Sequence, residues 1–130
     1  MMHSNRTTAG KRLALQAAYY IREHSEQKFS LSEIAGALFV NSNYLARVFK
    51  HETGHTLLWY HNAVRCENAK KMLLETKLSV AEIGSAVGYI SPAHFSHLFR
   101  KITGLSPSEW RTKAEESSQT EELIDFRGFM

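Results

Sequence analysis

The feature that most constrains this chain is a pair of short helix patterns joined by a tight turn in the second half of the sequence. Ser79, followed three residues later by Glu82, has the form of a capping box that begins a helix. Ser91 before Pro92 marks the start of a second helix, and Gly104 marks its end. Two short helices with a glycine-containing turn between them are the sequence form of a helix-turn-helix.

The second of these helices has one apolar side and one polar side. Its large apolar residues recur at i, i+3, i+4 and i+7, so they share one side and need a core to cover them. They are Phe95, Leu98, Phe99 and Ile102, and the opposite side carries Ala93, His97 and Arg100, flanked by Ser96 and Lys101. A polar and basic outer side is typical of a second helix that enters the DNA major groove.

The chain contains an earlier copy of this pattern. Residues 30–54 align with residues 79–104, at an offset of 49 before the turn and 50 after it. Two copies are too few for a repeat array, which needs about three or more units to bury a continuous core. Two copies of a recognition unit on one chain instead predict two half-sites on DNA.

The remaining sequence predicts helices that complete the fold. Leu13, Ala17 and Ile21 recur every four residues, which predicts an amphipathic helix over about residues 8–25 after an unstructured N-terminus. A longer helix is predicted over residues 57–76 and would be about 28 Å long. Successive turns of one major groove lie about 34 Å apart, so we expect such a rod to present both units to one side of a duplex.

We therefore predict an all-α fold of about seven helices, with two homeodomain-like helix-turn-helix subdomains joined by a long linker helix. Within a DNA-binding domain at residues 1–112, the first unit is predicted at 8–55, the linker helix at 56–76 and the second unit at 77–112. Residues 113–130 form an acidic tail, for which the sequence leaves docking and a short helix open. Arg65, within the linker helix, is interpreted as structural, pairing with a carboxylate to lock the two halves together.

Charge is unevenly distributed along the chain. The whole sequence carries 16 Lys and Arg and 13 Asp and Glu residues, a net charge of +3. Residues 1–114 hold 15 basic and 8 acidic residues, a net +7, whereas residues 115–130 hold one and five, a net −4. A basic domain followed by an acidic tail favours a polyanionic partner for the domain.

Composition argues against other classes of protein. The lone Cys66 cannot form an internal disulfide, and the N-terminus lacks the apolar run of a signal peptide, so we expect a cytoplasmic protein. The histidine pairs His51/His55 and His94/His97 lack a cysteine or carboxylate that would complete a metal site. With no Gly-rich phosphate loop and no nucleophile with its base, we expect neither an enzyme nor a cofactor.

Several short motifs in the two copies are characteristic when taken together. The first copy has Tyr44-Leu45-Ala46-Arg47-Val48-Phe49-Lys50 and Gly54; the second has Val87-Gly88-Tyr89, His94-Phe95-Ser96, Phe99-Arg100-Lys101, Gly104 and Ser106-Pro107-Ser108-Glu109-Trp110-Arg111. In these motifs the chain resembles the DNA-binding domain of AraC/XylS transcription regulators, over about residues 13–112. The resemblance implies a bacterial transcription factor that binds double-stranded promoter DNA, with RNA polymerase as a further partner.

The first reading face combines side chains suited to base recognition. Asn43 and Arg47 lie on the outward stripe, with Ala46 beside them. Arg47 can make a bidentate contact with guanine, and Asn43 can pair with adenine. The resemblance places base contacts at these same three positions, while Lys50, further along the helix, is better placed for a phosphate.

The second reading face is expected to discriminate bases less sharply. Its reading positions hold Pro92, Ala93, Ser96 and His97, and His97 stands where many relatives carry arginine. Ala93 offers a methyl contact to thymine, and Ser96 a single hydrogen bond. Because histidine changes charge between about pH 5 and 8, we expect protonation of His97 to strengthen binding in mild acid.

Further contacts to the DNA backbone are predicted without sequence preference. Arg100 and Lys101 lie beyond the second reading face, where they can reach phosphates. The N-termini of the first helix in each copy, near Ser32 and Ala81, can also bind phosphate through backbone N–H groups.

Two alternatives stay open at this level. One is a helical protein–protein adaptor that keeps the fold without specific DNA binding. The other concerns the extent of the chain: only about a dozen residues precede Leu13, the first residue of the apolar pattern, too few for an effector domain of well over a hundred residues. The chain is therefore either a stand-alone regulator, which we expect to bind DNA as a monomer, or a fragment of a longer one.

Overall fold

The computed structural model describes the backbone of residues 2–128 and the side chains of residues 8–118. Over residues 2–128 the chain forms seven α-helices and no strand, which confirms the predicted all-α fold. None of the helices in this range is long and apolar enough to span a membrane. They are α1 (Met2–Glu23), α2 (Leu31–Ala37), α3 (Ser42–Thr53), α4 (Leu57–Glu75), α5 (Val80–Ala86), α6 (Pro92–Thr103) and α7 (Pro107–Gly128).

The chain divides into two compact units, Met1–Arg65 and Cys66–Met130, and the division falls inside α4. The predicted linker helix therefore exists, but each of its halves is part of a core. Leu57 and Val64 are buried in the core of the first unit, whereas Ala69 is buried in the core of the second. Apolar residues on both halves of α4 are used to build the units as well as to connect them.

The first unit is built on the apolar stripe of α1. Ala17 and Ile21 of the predicted i, i+4 pattern are 0% and 1% exposed, and they belong to the same core as Leu45 and Phe49 of α3. Burying such side chains removes apolar surface from water at about 25 cal/mol per Å², the main favourable contribution to folding. Helix α1 is thus the third helix, which a helix-turn-helix needs to close its core.

The second unit packs α5 directly against α6. Phe95 and Phe99 of α6 are completely buried, together with Ile83 of α5. A Cβ placed on Gly84 would lie 2.8 Å from Cδ2 of Phe95, so only a residue without a side chain fits where α5 meets this ring. The glycine is required for the close approach of the two helices, since protein interiors leave little free space.

The helix boundaries follow the capping signals in the sequence. Oγ of Ser79 accepts the N–H of Glu82 at 3.1 Å, and Oγ of Ser91 accepts the N–H of His94 at 3.3 Å. Gly104 ends α6 in the left-handed region, with φ of +85°. These side chains satisfy backbone groups that helix termini leave without intrahelical partners.

In each unit, an arginine side chain donates hydrogen bonds to backbone carbonyls of the segment that precedes the helix-turn-helix. Nε of Arg65 donates to the carbonyl of Ser25 at 2.7 Å, and Nη2 donates to the carbonyl of Gln27 at 2.7 Å. Arg111 donates in the same way to three carbonyls within residues 73–78, at 2.8 to 3.3 Å. Arg65 thus has a structural role, as interpreted, but the predicted pairing is wrong in two respects. These partners are backbone carbonyls instead of a carboxylate, and they lie within the first unit, so these bonds do not lock the two halves together.

Both turns contain a residue at positive φ, but the residue type differs between them. The turn in the second unit uses Gly88 at φ of +116°, where glycine is the usual residue. The aligned residue in the first unit is Phe39, which adopts φ of +59° and is 94% exposed. A left-handed conformation costs a residue with a Cβ roughly 1–2 kcal/mol, and the exposed ring recovers little of this by burial.

Both ends of the chain are more helical than the sequence indicated. Helix α1 begins at Met2 instead of near residue 8, and α7 continues through the acidic tail to Gly128. Once packing has formed one turn of a helix, each further residue adds a hydrogen bond without a new nucleation step. The tail is thus helical up to Gly128, as a continuation of α7 instead of a separate short helix, and its docking stays a prediction.

Candidate nucleic-acid interface

The reading face of α3 is presented to solvent, as the helical periodicity predicts. The opposite side of the helix is anchored by Leu45 and Phe49, both 0% exposed. Asn43, Arg47 and Lys50 are exposed, and Ala46 is half-buried between them. The four contact residues predicted on α3 therefore lie together on one accessible side of this helix.

The start of α3 is fixed by a cap that the sequence analysis missed. Oδ1 of Asn41 accepts the backbone N–H groups of Asn43, at 2.8 Å, and Tyr44, at 3.1 Å. Asparagine is among the best N-cap residues, and its place just ahead of the helical pattern was the available signal. The cap orders the helix end at which a recognition helix places its base-contacting residues.

A second feature of this face also went unnoticed. The guanidinium carbon of Arg47 lies 5.7 Å from the ring centroid of Tyr44, within the range of a cation–π contact. The two residues are three apart on α3, and side chains at that spacing are neighbours on a helix. This spacing was the signal that sequence reasoning could have used.

The reading face of α6 has the same arrangement with different chemistry. Phe95 and Phe99 anchor its inner side. Of the predicted reading residues, Pro92, Ala93 and His97 are exposed and Ser96 is half-buried. For hydrogen bonding, this face offers the two ring nitrogens of His97 and the hydroxyl of Ser96. None of its reading positions carries a guanidinium group.

The cations flanking the two faces have different surroundings. Nη1 of Arg100 lies 3.4 Å from Oε1 of Glu109, and both side chains are more than half exposed. Hydrogen bonds from Ser106, and then the positive charges of Arg100 and Lys113, lower the pKa of Glu109. Arg100 therefore faces an ionised carboxylate before any DNA is present.

Lys50 occupies the position of Arg100 in the first copy and has no comparable acid beside it. The residue aligned with Glu109 is Trp59, which stacks on His55 with ring centroids 3.7 Å apart. Among residues with described side chains, Lys50 forms no ion pair. Of the three cations predicted to contact phosphates, Lys50 and Lys101 are thus exposed without the acidic partner that Arg100 has.

The two backbone sites predicted at helix N-termini lie at equivalent places. Ser32 and Ala81 are the second residues of α2 and α5, and both are exposed. Oγ of Ser32 lies 3.2 Å from Oγ of Ser30, the residue that caps α2. The positions are accessible, and phosphate binding there stays a prediction.

Within the described part of the chain, neither histidine pair belongs to a group of residues that could coordinate a metal ion. The ring of His94 meets Tyr89 edge to face at 5.5 Å, and His55 is stacked as described above. Over the described part of the chain, no group of three or more histidine, cysteine or acidic residues is placed to hold a metal ion.

These features define a class of protein: a domain of two helix-turn-helix units, each with an accessible polar face on its second helix. Residues 34–113 match the profile of a protein family described as a helix-turn-helix domain. The chain belongs to the AraC/XylS family of helix-turn-helix transcription regulators and is a DNA-binding domain of that type.

Two relatives illustrate the match. The chain is 36% identical over 104 residues to the HTH-type transcriptional regulator YisR of Bacillus subtilis, covering 80% of this chain and 36% of that protein. It is 31% identical over 102 residues to the arabinose operon regulatory protein of Escherichia coli K12, covering 78% of this chain and 35% of that protein. The chain thus spans about a third of the length of these relatives.

A solved structure supports the fold. A transcriptional regulator of Chromobacterium violaceum, described as containing an AraC-type DNA-binding domain, superposes with a TM-score of 0.76 at 27% identity. The match covers 82% of this chain and 96% of that chain. The arrangement of helices predicted from the duplicated pattern is therefore that of a known DNA-binding domain.

Proposed function

We propose that this domain binds promoter DNA as a monomer and reads two successive major-groove segments, one with α3 and the other with α6. The observation that carries the proposal is the repeated exposed stripe. In both units it lies on the second helix of the helix-turn-helix, opposite two fully buried anchors, Leu45 and Phe49 or Phe95 and Phe99. A recognition helix needs such a polar side, free of the core, to enter the groove.

The first reading face supplies the sharper base recognition in this proposal. Arg47 binds guanine through two parallel hydrogen bonds, and Asn43 pairs with the edge of adenine. Ala46, half-buried between them, sets how closely the helix approaches the bases and can contact a thymine methyl group. Exposure of Asn43 and Arg47 in the N-terminal half of α3 supports these roles.

The second reading face supplies weaker discrimination. Pro92 and Ala93 contribute apolar contacts, Ser96 one hydroxyl, and His97 one imidazole. Each is accessible or half-buried on α6. Stronger binding in mild acid through His97 stays a prediction, which a binding series from pH 8 to pH 6 would check.

Phosphate contacts fix the register of both units. Lys50, Arg100 and Lys101 are exposed cations beyond the reading positions, and each phosphate they neutralise releases counterions. Ser32 and Ala81 add contacts through their backbone N–H groups.

The wider role follows from the relatives, whose names describe regulators of transcription, including that of an arabinose operon. By analogy, the proposed setting of this domain is bacterial cytoplasm, on promoter DNA, where its position relative to RNA polymerase determines its effect. A domain that reads two groove segments by itself has no need of a second copy to recognise a bipartite site.

The test is selection of bound duplexes from a random library of about 30 base pairs at roughly 150 mM salt, followed by sequencing. We expect a bipartite motif with centres about 10 base pairs apart and one half sharper than the other. Enrichment of a single half would show that one unit contacts only phosphates, which contradicts the two-segment proposal.

The adaptor alternative predicts a different outcome of the same experiment. A protein–protein adaptor would enrich no motif, and any weak affinity for duplexes would be the same for all sequences. The acidic continuation of α7 is the observation that favours this alternative, since like charge opposes DNA binding. A log–log salt slope of about −0.9 per phosphate contact would support DNA binding.

A further inference from the structure

We infer that Tyr44 is a positioning residue, which holds the guanidinium of Arg47 ready for base reading. The inference rests on the proposed function, because it names how one reading residue of α3 is oriented. It concerns a side chain to which the periodicity of the helix assigned no role.

The geometry of α3 places the ring where it can act. The guanidinium carbon of Arg47 lies 5.7 Å from the ring centroid of Tyr44, and Tyr44 is 42% exposed. Side chains on a helix lean toward its N-terminus, so the side chain of Arg47 passes over the residue three positions earlier. The ring therefore holds the guanidinium at the end of α3 that a recognition helix directs into the groove.

The backbone that carries the Tyr44 ring is held in place by its neighbours. The backbone N–H of Tyr44 donates to Oδ1 of Asn41 at 3.1 Å, which ties Tyr44 to the first turn of α3. Leu45, the next residue, is 0% exposed in the core of the first unit. The backbone of Tyr44 is thus held on both sides, and its ring can limit the motion of the longer Arg47 side chain.

The second unit has a different arrangement at the same place. The residue aligned with Tyr44 is His94, whose ring meets Tyr89 edge to face at 5.5 Å. The residue aligned with Arg47 is His97, which is too short to need such support. The pairing of a ring with an arginine is therefore specific to the sharper of the two proposed reading faces.

Holding the guanidinium in advance reduces the side-chain entropy lost on binding, which is the usual benefit of preorganisation. The benefit appears only where Arg47 meets its base, so it strengthens the preferred site and leaves unspecific binding unchanged. From the strength of an exposed cation–π contact, the expected effect is about two- to fivefold in affinity.

The experiment compares Tyr44→Leu, which removes the ring, with Tyr44→Phe, which keeps the ring and removes the hydroxyl. Fluorescently labelled duplexes carry either the selected site or the same site in which the base pair that Arg47 reads is replaced. We expect Tyr44→Leu to weaken binding to the selected site two- to fivefold and binding to the replaced site not at all, while Tyr44→Phe matches the wild type.

A measurement on the free domain is independent of DNA. The ring current of Tyr44 should shift the Arg47 side-chain proton resonances in the wild type and in Tyr44→Phe, and the shift should disappear in Tyr44→Leu. Thermal unfolding of both variants shows whether the fold is retained; Tyr44→Phe, which keeps the aromatic volume, provides the matched control.

The outcomes separate this inference from the proposed function. If Arg47→Ala changes the base preference and Tyr44→Leu does not, the positioning role is wrong and the proposed function stands. Equal weakening on both duplexes by Tyr44→Phe would mean that the hydroxyl binds a phosphate, which also overturns the inference. If neither wild type nor Arg47→Ala shows a base preference, the proposed function fails, and the inference fails with it.

Discussion

Arg100 and Glu109 form an ion pair across the turn between α6 and α7, with 3.4 Å between Nη1 and Oε1. The carboxylate serves two partners, because its Oε1 also accepts the N–H of Ser106 at 3.3 Å in a capping box. A side chain that caps α7 thereby also neutralises a cation next to the second reading face.

Glu109→Gln should therefore strengthen binding to all duplexes. Glutamine keeps the capping box but leaves Arg100 free to meet a phosphate. For an exposed pair we expect affinity to rise by about 1.5- to fivefold, and the log–log salt slope to steepen by up to about 0.9. The measurement is a salt titration of duplex binding.

Glu115→Gln is the matched control for this prediction, since it removes the same charge from an exposed position further along α7. Its effect should be smaller than that of Glu109→Gln, because charges in solvent are screened over about 10 Å. Equal effects of the two substitutions would show that overall charge, and not release of Arg100, determines the affinity.

Arg47→Ala and Lys50→Ala should separate base reading from phosphate binding on the same helix. Arg47→Ala should cost about 1–3 kcal/mol on the preferred site and relax the preference at one base pair. Lys50→Ala should weaken binding to every sequence alike and reduce the salt slope by about one contact. Competition binding with selected and scrambled duplexes distinguishes the two, and an unchanged preference after Arg47→Ala would contradict the role of the first reading face.

Gly84→Ala should destabilise the second unit, although alanine is the better helix former. The new methyl group would lie 2.8 Å from Cδ2 of Phe95, whose ring is completely buried and has little room to move. Overpacking of about 1–3 kcal/mol should exceed the gain of about 1 kcal/mol in helix propensity. Urea unfolding followed by circular dichroism measures the net change.

Gly36→Ala provides the comparison in α2. A Cβ at Gly36 would have no atom within 4 Å, so only the gain in helix propensity should appear, at about 0.5–1 kcal/mol of added stability. Opposite signs for the two glycines are expected. Stabilisation by both would mean that the contact between α5 and Phe95 relaxes easily.

His61 should make the first unit less stable in acid. Its Nε2 is buried and has no hydrogen-bond partner among the described residues. Burial, and then the positive charge of Arg65, lower the pKa of His61 from 6.5 to about 4, although a hydrogen bond with the backbone of Gln27 opposes the shift. The folded chain therefore binds fewer protons than the unfolded chain between these two pH values.

The sign of the pH effect follows from this difference. Stability should rise with pH through the window from about 4 to 6.5 and be lost as pH falls, with a total change of about 3 kcal/mol. Urea unfolding of the wild type and His61→Leu at intervals from pH 7 to pH 4 gives the contribution of this group as a difference. A difference that is constant with pH would show that His61 is not held neutral by the fold.

The reading faces could be predicted from sequence because they depend on local periodicity. Leu45, Phe49, Phe95 and Phe99 recur at the spacing of one helix face, so the opposite face of each helix was determined without knowledge of the core. The Tyr44–Arg47 contact, three residues apart on one helix, belongs to the same class of local information and was overlooked. DNA contact by any of these residues stays a prediction until binding is measured.

Some helix ends could be predicted from the sequence and others could not. Ser79, Ser91 and Gly104 carry strong local preferences for caps, and the structure confirms them. The extensions of α1 and α7 have no such signal, because continuing a helix beyond a packed segment depends on weak propensities.

The sequence by itself determined the seven helices, their duplication and the residues on each exposed stripe, because helical periodicity and capping act over a few neighbouring residues. Only the tertiary structure decided that the halves of α4 belong to separate cores. It also decided that Arg65 and Arg111 bind loop carbonyls and that Arg100 faces Glu109. Such long side chains reach partners in other elements, and a backbone carbonyl is present in every residue, so no residue type or spacing marks the partner in advance.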